Sequence, residues 1–144
     1  MIQAPDPFQL SRFVEAQESR FDIALSELKA GKKRSHWIWF VFPQLAGLGL
    51  SPTAKFYGVR SLLEARAFLA HPVLGIRYRR AVEAILVWNG RKDAAEILGD
   101  VDAMKLKSSL TLFEAASGDP LFAEALSAFF GSADDATSKL LGRY

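Results

Sequence analysis

The segment K-K-R-S-H-W-I-W-F-V-F-P-Q-L-A-G-L-G-L-S, residues 32–51, joins a basic triplet to a strongly apolar run. It contains two of the three tryptophans, Trp37 and Trp39, and side chains of this size are usually buried. A β-strand over 37–42 would lack a partner, because no other part of the chain favours a strand. The segment therefore predicts a short buried helix over 36–42 that ends at Pro43.

Proline and glycine divide the rest of the chain in a pattern typical of helices. Asp6-Pro7, Ser51-Pro52 and Asp119-Pro120 each place a capping side chain before a proline, which suits the first position of a helix. Ser61 and Glu64 have the spacing of a capping box. Glycines follow where these helices are expected to end. The predicted helices cover 7–30 with a break near Glu18, 36–42, 52–58, 61–70, 72–89, 93–98, 102–117, 120–130 and 135–142.

This pattern predicts an all-α fold, a single compact orthogonal bundle of about seven to nine helices. The chain has 144 residues, of which 50% are hydrophobic and 24% charged, so it is long and apolar enough to bury a core. No internal repeat or flexible linker divides it. We therefore expect one domain over residues 1–144.

Composition excludes several kinds of chemistry. The chain has no cysteine, which excludes thiol catalysis, cysteine-bound zinc, iron–sulfur clusters and disulfide bonds. The two histidines, His36 and His71, lie far apart in the sequence. We therefore predict no metal site and no cofactor.

Neither export nor a membrane anchor is predicted. The opening M-I-Q-A-P-D-P-F lacks the charged and then apolar pattern of a signal peptide, and no run of about 18 apolar residues occurs. We expect a soluble, cytoplasmic protein. The net charge is only +2, and basic residues cluster only at 32–34 and 77–80 without exposed aromatic neighbours, so nucleic-acid binding is not favoured.

Three polar residues lie on the apolar side of the predicted helix 102–117. At about 100° per residue, Asp102, Lys105 and Ser109 fall within its apolar arc. In one interpretation, Asp102 and Lys105 pair inside the bundle as part of a site. In the other, Asp102 caps the helix, Lys105 extends outward along the arc and Ser109 bonds back to a carbonyl.

A second polar group stands at the start of the aromatic segment. Lys33, Ser35 and His36 precede the predicted helix 36–42, and donors at a helix N-terminus attract phosphate or carboxylate. Trp37 or Trp39 would supply a flat wall for a base or a sugar. The alternative is structural: Gly31 ends the preceding helix, Ser35 caps the next one, and His36 is an ordinary hydrogen-bonded residue.

Several motifs together resemble one known family. They are R-F-V-E-A-Q (12–17), K-R-S-H-W-I-W-F-V-F-P-Q-L-A-G-L-G-L-S (33–51), E-A-R-A-F-L-A-H-P-V-L-G (64–75), D-A-M-K-L-K-S-S-L-T-L-F (102–113) and F-F-G-S-A-D-D-A-T (129–137). The chain resembles the bacterial domain-of-unknown-function family numbered 1810. The resemblance implies a small all-helical protein and carries no established activity. The family's motifs also contain the polar residues that are predicted to face inward, in 33–44 and 102–109.

Two hypotheses follow for function. The first is a pocket between 33–44 and 102–109 that binds a phosphorylated or nucleotide-like small molecule. In it His36 and Asp102 are the candidates for proton transfer, and whether any reaction is catalysed stays open. The second is a non-catalytic protein-interaction domain whose polar residues form an interior network. Neither predicts an oligomeric state. The candidate ligand-binding residues are Lys33, Ser35, His36, Trp37, Gln44, Lys105 and Ser109.

Overall fold

The computed structural model describes residues 5–142, which form ten α-helices joined by short turns. A single β-bridge, between Leu45 and Val59, is the only sheet-like pairing within that range. None of these helices is both long and apolar enough to span a bilayer. The helices are α1 Ser11–Glu18, α2 Phe21–Ala30, α3 Ile38–Val41, α4 Pro52–Tyr57, α5 Leu62–Ala70, α6 Leu74–Leu86, α7 Ala94–Leu98, α8 Asp100–Ser117, α9 Pro120–Phe129 and α10 Asp135–Leu140.

The all-α prediction is confirmed, and most helix positions agree with the proline and glycine pattern. The predicted break near Glu18 separates α1 from α2, which brings the number of helices in residues 5–142 to ten. The predicted start at Pro7 is wrong. Asp6 accepts hydrogen bonds from the backbone of Leu10 and Ser11, and Gln9 has a φ of 54°, so the helical path begins only at Ser11.

The core of the bundle is aromatic and lies between α5, α6, α8 and α9. The ring of Tyr78 lies 4.4 Å from that of Phe113 and 5.2 Å from that of Phe122, measured between centroids. Its hydroxyl is 2.8 Å from the Ser109 hydroxyl, in a fully buried pair. Burial raises the pKa of Tyr78 far above its usual range, so the phenol stays protonated. The Ser109 side chain therefore faces the core, where its hydroxyl pairs with that of Tyr78.

A buried ion pair joins α1 to α5. The guanidinium of Arg12 donates to a Glu64 carboxylate oxygen at 2.7 Å, and the two side chains are only 7% and 2% exposed. Arg12 also donates to the carbonyls of Phe56 and Gly58. The predicted capping box is therefore half correct: Ser61 accepts from the Glu64 backbone N–H, whereas the Glu64 side chain turns to Arg12.

The end of α2 is fixed by contacts with the turn after α6. Gly31 has a φ of +71°, and an added Cβ would lie 2.8 Å from the Trp88 ring. The Trp88 indole N–H donates to the Leu28 carbonyl at 2.9 Å, and the Lys92 ammonium donates to the Gly31 carbonyl at 3.0 Å. These contacts add side-chain donors to carbonyls at the end of the helix and fix where the chain leaves it toward Lys33.

Candidate functional site

The two polar groups noted in the sequence meet at one carboxylate. The backbone N–H of Lys33 donates to the Ile97 carbonyl at 2.7 Å, which holds the segment against the end of α7. The Lys33 ammonium then reaches one oxygen of Asp102 at 2.7 Å, and the Lys105 ammonium lies 3.7 Å from the other oxygen. Asp102 and Lys105 therefore form an ion pair, as in the first of the two interpretations of the sequence. Asp102 lies in the first turn of α8, not at its N-cap, because the helix begins at Asp100.

Both lysines in this group also lie over tryptophan rings. The Lys33 ammonium is 5.2 Å from the centroid of the Trp37 ring, and the Lys105 ammonium is 4.8 Å from that of Trp39. Such contacts stabilise a cation that has lost part of its hydration. Since one carboxylate serves two ammonium groups, the Lys33–Asp102–Lys105 cluster keeps an excess of one positive charge.

Ser35 and Trp37 are held by Glu27, a residue that sequence reasoning missed. One oxygen of the Glu27 carboxylate accepts from the backbone N–H groups of Arg34 and Ser35, at 2.8 and 3.1 Å, and from the Trp37 indole N–H at 2.8 Å. The other oxygen accepts from the Ser35 hydroxyl at 2.7 Å. The prediction that Ser35 caps the next helix is wrong, because Trp37 precedes α3 and no side chain caps it.

These hydrogen bonds determine how Glu27 titrates. Burial alone would raise its pKa, but the donors from Arg34, Trp37 and Ser35 outweigh burial and lower the pKa to about 2. Glu27 is therefore ionised throughout the neutral range, and it orders residues 34–37 around a permanent negative charge. The basic triplet at 32–34, five to seven residues after Glu27, was the only signal in the sequence that could have indicated this contact.

His36 and Ser109 take no part in the lysine cluster. His36 is exposed, and within residues 5–142 no hydrogen bond or ion pair joins it to Asp102. Ser109 is fully buried beside Tyr78, one helical turn beyond Lys105. The structure thus brings Lys33, Asp102 and Lys105 together and leaves His36 outside their contacts.

A cavity of about 400 Å³ opens beside Lys105, between the 44–48 segment, the first half of α8 and the start of α10. The backbone carbonyl of Gln44 accepts from Val59 at 2.8 Å next to the β-bridge, which fixes this wall. The side-chain amide of Gln44 has no hydrogen-bond partner in the part of the chain described. The lining residues are Gln44, Leu48, Val101, Met104, Lys105, Ser108, Asp134 and Ala136.

Another part of the cavity wall is an ordered polar cluster. The Asp134 carboxylate accepts from the backbone N–H of Thr137 at 2.9 Å and from its hydroxyl at 2.6 Å. The hydroxyls of Ser108 and Thr137 are 2.7 Å apart. Ser108 and Asp134 were not among the predicted site residues, although an aspartate before the predicted helix 135–142 was an available sign of an N-cap. The cavity therefore combines one cation, one carboxylate, an amide and a hydroxyl with apolar walls.

The described residues contain no group of three histidine or acidic side chains suited to holding a metal ion.

Comparison with known proteins places the chain in a family. The crystal structure of the conserved hypothetical protein Rv1873 from Mycobacterium tuberculosis is 45% identical in sequence and has a TM-score of 0.92. That match covers 95% of this chain and 99% of the other. No curated protein matches the chain. A family model described as "Protein of unknown function (DUF1810)" matches residues 7–141. Because the match spans nearly the whole sequence, the chain belongs to the DUF1810 family.

Proposed function

We propose that this protein binds a small anionic molecule, phosphorylated or nucleotide-like, in the cavity between the 44–48 segment and α8. The observation that carries the proposal is the position of Lys105. Lys105 lines the cavity, and its ammonium lies over the Trp39 ring. Among the described residues its one carboxylate partner is Asp102, which it shares with Lys33. An ammonium whose charge is only partly balanced attracts a phosphate or carboxylate.

The other walls suit the remainder of such a ligand. A volume of about 400 Å³ lies in the range of small-molecule sites. Leu48, Val101 and Met104 supply apolar surface for a ring, and the Gln44 amide can both donate and accept. The Asp134 carboxylate, one oxygen of which already accepts from Thr137, can accept from a ligand hydroxyl such as that of a sugar.

The roles of the residues differ from those expected from sequence alone. Lys105 and Gln44 would contact the ligand directly. Lys33 and Asp102 would position Lys105 and set its charge, whereas Trp37 and Ser35 act on local structure through Glu27. His36 and Ser109 have no place in the proposal, and it includes binding only, with no catalytic step.

A thermal-shift screen with inorganic phosphate, nucleoside monophosphates and sugar phosphates tests the proposal. A ligand present at a hundred times its Kd stabilises the folded state by about 2.7 kcal/mol. Lys105→Met keeps much of the apolar stem while removing the charge, and we expect it to abolish the shift. Lys29→Met, an exposed lysine on α2, is the matched control and should leave the shift unchanged. If no probe raises Tm, or if both variants respond as the wild type does, the cavity is not an anion site.

The second candidate is an interaction domain whose polar residues are purely structural. It is favoured by one observation: within residues 5–142, no buried side-chain nitrogen or oxygen lacks a hydrogen-bond partner. This is what a network selected for a unique packing would show. Under this hypothesis Lys105→Met changes stability and leaves every small-molecule titration flat.

A further inference from the structure

The Lys105 cavity is lined by charges of both signs. Among the described residues that line it, Lys105 is the one cation and Asp134 the one acid. Asp134 is the N-cap of α10, and its Oδ2 oxygen accepts from both the backbone N–H and the hydroxyl of Thr137. Within residues 5–142 no donor reaches its other oxygen, Oδ1. Asp134 is only partly buried, so this oxygen can accept a hydrogen bond from a ligand.

The direction of the hydrogen bonds makes this part of the wall an acceptor. An ionised carboxylate only accepts, so the Thr137 hydroxyl donates to Asp134 at 2.6 Å. In the pair of hydroxyls 2.7 Å apart, Ser108 is therefore the donor and Thr137 the acceptor. Because the hydroxyl hydrogens of Ser108 and Thr137 are both used within this chain, neither is left to donate to a ligand. Asp134 contributes an acceptor that also carries a negative charge.

Asp134 is held in a fixed position relative to the helix that carries Lys105. Its backbone N–H donates to the Thr111 hydroxyl at 2.8 Å, and its side chain is linked through Thr137 to Ser108. Thr111 and Ser108 both belong to α8, and Ser108 follows Lys105 by three positions. Residues at this spacing have Cβ atoms about 5–6 Å apart. The cation and the carboxylate of the cavity are therefore both positioned by α8.

These charges limit how many anionic groups a ligand can bring. The Lys33–Asp102–Lys105 cluster has an excess of one positive charge, because two ammonium groups share one carboxylate. The carboxylate of Asp134 balances that excess. A ligand with one phosphate can bind near Lys105 and away from Asp134, whereas a second anionic group finds no other cation among the described lining residues. Repulsion between like charges then disfavours such a ligand.

We propose that the Lys105 cavity selects a phosphomonoester that carries a free hydroxyl, such as a sugar phosphate, over ligands with a second anionic group. Asp134 is the specificity-determining residue, because it accepts from the ligand hydroxyl and repels added negative charge. This inference rests on the proposed function, since it requires that the phosphate binds near Lys105.

Three probes separate these properties in isothermal titration calorimetry. Ribose 5-phosphate has one phosphate and free hydroxyls. Tetrahydrofurfuryl phosphate keeps the phosphate and the ring but has no hydroxyl, and pyrophosphate has a second anionic group in place of the sugar. We expect ribose 5-phosphate to bind about tenfold more tightly than either of the others, which for the ring pair is the effect of one hydrogen bond to a charged acceptor.

Matched variants assign this selectivity to Asp134. Asp134→Asn removes the charge and keeps the helix cap, because asparagine can accept from Thr137 and is an equally good N-cap residue. Pyrophosphate should bind this variant about tenfold more tightly than it binds the wild type, and the preference for ribose 5-phosphate over the hydroxyl-free ring should fall below about threefold. Asp93→Asn, at the N-cap of α7 and outside the cavity lining, should change each Kd by less than about twofold.

A further variant changes the charge of the cavity without altering Asp134. Ala136→Lys adds a cation at an exposed position in the first turn of α10 and leaves the hydrogen bonds of Asp134 in place. It should strengthen pyrophosphate binding about fivefold or more. Thermal unfolding of each variant checks that it is folded, so the prediction can be tested even where Asp134→Asn is unstable.

The selectivity is refuted if the wild type binds pyrophosphate as tightly as ribose 5-phosphate, if the two ring phosphates bind equally, or if Asp134→Asn and Asp93→Asn act alike. Lys105→Met distinguishes this failure from failure of the proposed function. If Lys105→Met abolishes binding but the three probes do not differ, the anion site stands and the selectivity is wrong. If no probe binds, or if Lys105→Met binds the probes as the wild type does, both proposals are wrong.

Discussion

The hydrogen bonds around Glu27 make a sharp prediction about stability and pH. Glu27→Gln preserves the shape of the site: the amide oxygen can still accept from Arg34, Ser35 and Trp37, and the amide NH₂ can donate to the Ser35 hydroxyl, which then becomes the acceptor. The substitution therefore removes the charge and keeps the contacts. Any loss of stability reports the charge itself.

The magnitude follows from the pKa. A fall from 4.5 to about 2 corresponds to roughly 3 kcal/mol favouring the folded state when the carboxylate is ionised. Because Glu27 is only partly buried, solvent screens these interactions, and we expect Glu27→Gln to lose about 1–2 kcal/mol at pH 7. Since the folded-state pKa is lowered, this contribution is fully present above pH 4.5 and is lost as the pH falls toward 2.

Urea unfolding of wild type and Glu27→Gln between pH 7 and pH 2 measures the effect. The difference in unfolding free energy should be constant down to about pH 5 and shrink steadily below it, because protonated glutamate resembles glutamine. Glu15→Gln, at an exposed position on α1, should stay within about 0.5 kcal/mol of the wild type at neutral pH. A difference that persists unchanged at pH 2 would refute the assignment of the stabilisation to the Glu27 charge.

Two further predictions concern backbone and ion-pair contacts. Asp102→Asn removes the counter-charge of Lys33, whose side chain is 9% exposed, and should lower the free energy of unfolding in urea by about 2–4 kcal/mol. Adding Lys33→Met to this variant should recover part of the loss. If no stability is recovered, the two residues are not coupled. Gly31→Ala should lower Tm more than Gly118→Ala. Both glycines have φ near +70°, but only at Gly31 would the new methyl meet the Trp88 ring, so equal losses would show that the ring moves aside freely.

The helices could be predicted because their signals are local. A proline after a capping side chain, or a glycine at a left-handed turn, acts within a few residues, and this information placed α4, α7 and α9 close to their observed bounds. The start of α1 was predicted wrongly because a local signal was present but had a different role. Asp6 is a capping residue, but it binds the N–H groups of Leu10 and Ser11 across a turn with a left-handed Gln9.

The candidate site could be predicted only in part, because its contacts join residues distant in sequence. Helical geometry placed Asp102 and Lys105 on one side of α8, and their pairing follows from that spacing. The closer partner of Asp102 is Lys33, which lies 69 positions earlier in the printed sequence, and no periodic pattern reports such a contact. Glu27 was missed for a similar reason, since its four hydrogen bonds go to a loop and not to its own helix.

The contrast between Lys105 and Ser109 shows why facing inward does not by itself define a site. The two residues are four apart, so they lie on the same side of α8 and about 6 Å apart along its axis. At the position of Ser109 the side chain meets Tyr78 and a closed aromatic core. One turn earlier the neighbouring chain is the 44–48 segment, which stands back and leaves a cavity at Lys105. Depth along the helix, which is set by tertiary packing, therefore separates the buried hydroxyl of Ser109 from Lys105, which lines a cavity.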